Sequence, residues 1–359
     1  MSRTETENKK YPPADIGKTP DAGKAAAPAP APSRPPRQDN TVKPEAPRRR
    51  YDGTLTAPLL VFAVFLLLLA VRLLGPRIFN RDNEYLLLTV VQVLIFMIPA
   101  AAYMKLCRVS AKKLRIYPFG LNHLLLIVSA IVAAASGSLL LSFAASGYES
   151  LSGTFTLYGA FASPSGGSAG ETVYLIVAYA ALPAFCEEFL FRALLCSEYE
   201  ASAGSFSAVV LTSLWFAMLH FDLRSFGVYL FSGILLSLTL YASRSFFAAF
   251  AVHFGYNLVS VFGMPFLRTV YDAGGKTLYF LIIGFLLLIS MFVFCGECAR
   301  LYGSYADGNL SSDYRVEGSS ERGVAAALRR TFAGNIRAFL APSALLCYLL
   351  YIAVMLFLK

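Results

Sequence analysis

Residues 184–195 read Ala-Phe-Cys-Glu187-Glu188-Phe-Leu-Phe-Arg192-Ala-Leu-Leu. Three ionisable side chains stand in a run otherwise apolar enough to enter a bilayer. At mid-bilayer an ionisable residue costs at least ~2.5–3.5 kcal/mol on insertion scales, so it needs a partner and, as a rule, a function. Two further stretches share the pattern. His220 closes Leu-Trp-Phe216-Ala-Met-Leu-His220, and His253 and Asn257 lie in Ala-Val-His253-Phe-Gly-Tyr-Asn257. The chain has only 3 histidines, and these motifs hold two of them. Glu, His, His and Asn on neighbouring apolar helices make a hydrolytic toolkit rather than a lipid-facing surface.

Composition points the same way. Of 359 residues, 57% are hydrophobic and 15% charged, where a soluble domain carries about 25% charged residues. Repeated runs of ~20 apolar residues predict an all-α, polytopic transmembrane helical bundle. Nine stretches qualify: 55–74, 85–104, 123–145, 172–199, 205–221, 226–243, 246–263, 277–298 and 338–358. The expectation is therefore about eight to nine spans.

A disordered, basic, Pro/Ala-rich cytoplasmic tail is expected over 1–53, because it holds too few large aliphatics to offset its ordering entropy. The bundle then runs over 54–298, with a core of motif-bearing helices at about 172–263. A cytoplasmic loop follows over 299–337, with a helical stretch from Val324 to Phe339 expected at the membrane interface. A final span occupies 338–359. The polar start argues against a cleavable signal peptide.

The net charge of +9 does not argue for nucleic acid, because the basic residues gather in alternate loops. With the N-terminus inside, inner segments carry 23 Lys/Arg and outer loops 5, a positive-inside asymmetry. The expected partners are a lipid bilayer and a peptide or protein substrate within it, with no nucleic acid; the sequence leaves the oligomeric state open. The six cysteines form no framework in an outer loop, and Cys295-Gly-Glu-Cys298 alone is at best half a zinc site.

Glu187 and Glu188 are adjacent, so a helix turns them about 100° apart. Arg192, at i+4 from Glu188, shares its face and can neutralise it. Glu187 is left as the candidate chemical carboxylate, with Glu188 and Arg192 as structural support and Pro183 a kink beside the site. His253 and Asn257, at i and i+4, aim at one point. A structural alternative stands beside this: one buried ion-pair cluster that only joins helices. Counted along their helices, Glu187, His220 and His253 lie about 18, 23 and 11 Å from the inner face, so convergence requires tilt or a kink.

Taken together and in this order, Glu187-Glu188-x-x-x-Arg192, Phe216-x-x-x-His220 and His253-x-x-x-Asn257 resemble the CPBP family of intramembrane proteases, which includes the Ras-converting CAAX endopeptidase. The resemblance covers about 180–260, with Trp215 and Pro183 also fitting; Ala193 stands where relatives often carry Gly. It implies hydrolysis of peptide bonds within the membrane. Glu187 and His220 would activate a water, and His253 and Asn257 would bind the developing oxyanion, with Phe216 in support. A zinc ion held by Glu187, His220 and His253 stays open, although no His-Glu-x-x-His arrangement is present. Two other functions stay open: a catalytically silent membrane scaffold or immunity-type protein, and a proton-coupled transporter. The simplest location is a bacterial plasma membrane, with the N-terminus cytoplasmic.

Overall fold

In the computed structural model, residues 51–78, 89–159, 169–310 and 324–357 are described, and every regular element among them is helical. The tail expected over 1–53 lies almost wholly outside them. The chain orders as α1 (Gly53–Ile78), α2 (Thr89–Cys107), α3 (Leu124–Gly159), α4 (Thr172–Ala203), α5 (Ser205–Leu219), α6 (Phe226–Ser243), α7 (Phe246–Gly263), α8 (Met264–Ala306), α9 (Val324–Phe339) and α10 (Pro342–Phe357).

Seven helices are long and apolar enough to cross a membrane, or eight if the bent pair Phe332–Phe339 and Pro342–Phe357, 47° apart, makes one span. The protein is a multi-pass membrane protein. The lower end of the expected eight to nine spans is reached only with the bent pair, and the ninth candidate, α5, drops out. At 15 residues it reaches only about 22 Å, short of the ~30 Å hydrocarbon core.

α4 is the axis of the bundle. Every residue from Leu190 to Glu200 is buried, enclosed by α1, α5, α7 and α9. Several of its polar side chains find partners across the bundle, as most buried polar groups do. The Arg115 guanidinium pairs with Glu200, which also accepts from the Tyr241 hydroxyl at 3.0 Å. Tyr103 donates to Glu198 at 3.0 Å, and Trp215 Nε1 donates to the Tyr199 hydroxyl at 2.9 Å. α3 packs on α8, α6 and α7, and closes the other side. The outward faces carry large aliphatics, such as Leu59, Leu66 and Leu73 on α1 and Leu281, Leu288 and Phe292 on α8. Those faces suit lipid.

α4 is not a regular α-helix. π-helical turns occupy Ile176–Ala181 and Phe189–Leu195, on either side of the α-helical segment Leu182–Glu188. Pro183, which has no N–H to give, lies just after the first of them. The expected kink is thus taken up as an inserted residue in the turn before the proline. π-turns inside α-helices are frequent at functional sites, and this pair brackets the Glu187-Glu188 motif.

Candidate active site

The π-turns carry Glu188 and Arg192 into the bundle centre, where both side chains are fully buried. The ion pair expected from their spacing forms, with Arg192 Nη1 2.9 Å from Glu188 Oε1. Arg192 Nη2 donates to the Gly233 carbonyl of α6 at 3.1 Å, and its carbon centre lies 4.6 Å from the Phe216 ring. One guanidinium therefore ties α4, α5 and α6. A buried charge needs such compensation.

The same Glu188 oxygen also receives His253 Nδ1 at 2.8 Å. An oxygen that already accepts from a guanidinium leaves the donor role to Nδ1, so Nε2 is the ring's other functional nitrogen. His253 Nε2 lies 3.9 Å from Glu187 Oε2. Glu187 is only partly buried and lines the cavity, while Glu188 does not. The two adjacent carboxylates thus part as the 100° helical step requires. One faces open space; the other holds a histidine and an arginine.

His220 follows the last residue of α5 with φ −77° and ψ −10°. Phe221 then adopts φ +48°, rare for a bulky side chain. Its carbonyl accepts from Arg72 at 3.1 Å, and its ring lies 5.6 Å from Phe65. This reversal ends the helix at the histidine. His220 Nδ1 is 2.7 Å from the Phe216 carbonyl. A carbonyl only accepts, so Nδ1 is the N–H and Nε2 keeps its lone pair in the neutral ring. The ring also stacks on Tyr229 of α6, centroids 3.6 Å apart and 16° from parallel.

Phe216 is the hub of these contacts. Its ring meets His220 at 4.9 Å, His253 at 5.8 Å and Tyr229 at 6.4 Å, all near-edge geometries. Asn257, one turn past His253, donates to the Ala180 carbonyl in the first π-turn of α4 at 3.3 Å. Its amide has a second N–H.

Glu187, Phe216, His220, Tyr229, His253 and Asn257 all line one cavity of about 330 Å³. The three helical depths counted from sequence do converge. Residues of α2 and α3, which carry no motif, also line the cavity. The sequence motifs omitted Tyr229, Ser232 and Gln92, all cavity-lining. Of the two helical glycines on α6, Gly227 and Gly233, only Gly233 marks a close approach.

Among the described residues no three His, Cys, Asp or Glu side chains are grouped to hold an ion. Glu187, His220 and His253 share the cavity without forming such a cage.

Residues 169–259 match the family model described as type II CAAX prenyl endopeptidase Rce1-like. The match takes in all three motifs and bears out the resemblance to the CPBP and CAAX protease family over that segment. Neither the curated proteins nor the solved structures contain a match to the chain.

Proposed function

We propose that this membrane protein, similar over 169–259 to CAAX-type endopeptidases, is an intramembrane endopeptidase acting on membrane-associated peptides or proteins. The observation that carries this is the convergence of Glu187, His220, His253 and Asn257 on one cavity inside the bundle. Peptide hydrolysis needs a base for water and donors where the oxyanion forms, and this set supplies both.

In the proposed reaction a water lies between Glu187 and the substrate carbonyl. Glu187, with the His220 Nε2 lone pair as second acceptor, takes one proton as the water oxygen bonds to the carbonyl carbon. The C=O electron pair moves to oxygen. That oxyanion accepts from the second N–H of Asn257 and from His253 Nε2–H of the doubly protonated ring, which Nδ1 anchors to Glu188. Collapse breaks the C–N bond. The proton held by the base passes to the leaving nitrogen, giving an amine and a carboxylic acid, which then releases the water's second proton to the amine or to solvent to leave a carboxylate.

Topology belongs to the same proposal. The tail and 105–122 hold 11 and 5 Lys/Arg, against 2 and 0 in 75–84 and 146–171. All these segments precede the short α5, so its length does not change them. They support a cytoplasmic N-terminus, and a bacterial plasma membrane is the simplest setting.

The test is cleavage in reconstituted liposomes. Purified protein is offered membrane-anchored and lipidated peptides, with Glu187→Ala and His220→Ala controls, with and without 1,10-phenanthroline. Cleavage lost in both variants is expected. Chelator sensitivity restored by added zinc would replace the metal-free scheme with a metal-assisted one. No cleavage across the panel, with Glu187→Gln as active as wild type in cells, would favour the scaffold function. A proton-gradient-dependent flux without cleavage would favour the transporter.

A further inference from the structure

The cavity holds polar groups that the hydrolytic scheme does not use. Ser232 of α6 is 5% exposed, yet its hydroxyl has no hydrogen-bond partner among the described residues. The buried Oε1 of Gln92, on α2, likewise has none. Both residues line the cavity with Glu187, His220 and His253. An unmade hydrogen bond inside a bundle is costly, and a lone serine and a lone glutamine could be replaced by apolar residues of similar size. Both stand in the cavity that holds the hydrolytic set, where a bound ligand could complete them.

The chemistry of the two atoms selects the ligand. Gln92 Oε1 is an acceptor, and a serine hydroxyl can donate. That is the complement of a peptide main chain, which brings an N–H and a C=O that find no water in a membrane interior. An acyl or prenyl chain would leave both groups unpaired. We propose that Gln92 and Ser232 form a main-chain subsite, with Gln92 Oε1 accepting an N–H and Ser232 Oγ donating to a C=O of an extended peptide lying against Glu187. The assignment rests on the endopeptidase function and deepens it. Recognition at this cavity is of unmodified backbone beside the scissile bond, whatever anchors the substrate to the membrane.

The test uses full-length protein in phosphatidylcholine liposomes. The probes are membrane-anchored fluorophore–quencher peptides and matched depsipeptides, in which one N–H at a time is replaced by oxygen. Cleavage gives kcat and KM, and anisotropy gives Kd. Wild type should prefer the amide over the ester at one position by about three- to tenfold in KM and Kd, the size of one hydrogen bond. Gln92→Leu should abolish that preference. Ser232→Ala should raise KM about three- to tenfold for both probes, with kcat within about twofold. Ser232→Ala should not melt lower than wild type, because the hydroxyl it removes makes no bond among the described residues; a purely structural role would lower the melting temperature and leave the amide preference intact. Normal cleavage with unchanged KM in both variants would overturn the subsite and leave the protease standing. Binding that keeps the amide preference without any cleavage would overturn the protease and leave the subsite. Failure of wild type to bind any probe would overturn both.

Discussion

His253 Nδ1 lies 2.8 Å from Glu188 Oε1, the same oxygen that Arg192 reaches at 2.9 Å. The orientation of a cavity-lining histidine is thereby fixed by an ion pair that never touches the cavity. Glu188 acts as a positioning residue twice over. It neutralises a fully buried guanidinium, and it sets which ring nitrogen of His253 faces Glu187.

Removing Glu188 should therefore cost stability as well as activity. Glu188→Ala leaves Arg192 buried without a counter-charge, a change expected to cost about 3–5 kcal/mol. Arg192→Lys should also destabilise. An ammonium cannot keep the fork to Glu188 and the Gly233 carbonyl while lying flat on Phe216. The chain's single tryptophan, Trp215, stacks on Tyr348 at 5.0 Å, so its fluorescence in a thermal melt reports the loss. An unchanged melting temperature in Glu188→Ala would remove the ion pair from the list of what holds the bundle.

Glu187 should behave in the opposite way. Among the described residues its one ion-pair contact is His253 at 3.9 Å, beyond hydrogen-bond range. Glu187→Gln should leave the melt within about 1 kcal/mol of wild type and lower cleavage by about 10²–10⁴-fold, the range for loss of a general base. A Glu187→Gln protein that melts as early as Glu188→Ala would mean that the two carboxylates share one structural task.

This division between adjacent residues was legible in the sequence. The 100° step and the i+4 arginine assign Glu188 to the ion pair and leave Glu187 to the cavity, and the fold keeps that assignment. The helical bundle was legible too, because long apolar runs have few alternatives. The bracketing π-turns were not, since an inserted residue in a helix leaves no composition signal. Nor was the link from Glu188 to His253, because the two are 65 positions apart and no periodicity spans that gap. α5 was overcounted as a span for a related reason. Apolarity alone does not separate a buried core helix from a crossing one, and length decides only once the end at His220 is fixed by the reversal at Phe221.

Tyr229 offers a test of how His220 is held. The 3.6 Å stack and the bond from Nδ1 to the Phe216 carbonyl fix the ring from two directions. An aromatic pair of this kind contributes roughly 0.5–1.5 kcal/mol. If that energy serves to hold the catalytic orientation, Tyr229→Leu should lower kcat about three- to tenfold with little change in KM, and Tyr229→Phe should recover most of the deficit. In a His220→Ala background the Leu change should have no further effect. An equal additional loss in both backgrounds would show that Tyr229 acts on something other than the histidine.

Gly233 extends the same logic to the helix interface behind the site. A Cβ added there would sit 3.0 Å from both Cα and Cβ of Ser213 on α5. One of the two contacts is backbone, which no rotamer change relieves, so α5 and α6 must part by a few tenths of an ångström. Small residues that let helices approach are a common basis of packing in membranes. Here the approach has a second consequence, because the Gly233 carbonyl is the acceptor for Arg192 Nη2. Gly233→Ala should cost about 1–3 kcal/mol, as overpacked sites do, and should reduce cleavage by carrying that carbonyl and the neighbouring Tyr229 away from α4 and α5. Ser213→Gly, which removes one of the two clashing atoms, should restore part of both losses. Gly233→Ala with full stability and reduced cleavage would separate the two effects, and would place the contribution of Gly233 in the carbonyl alone.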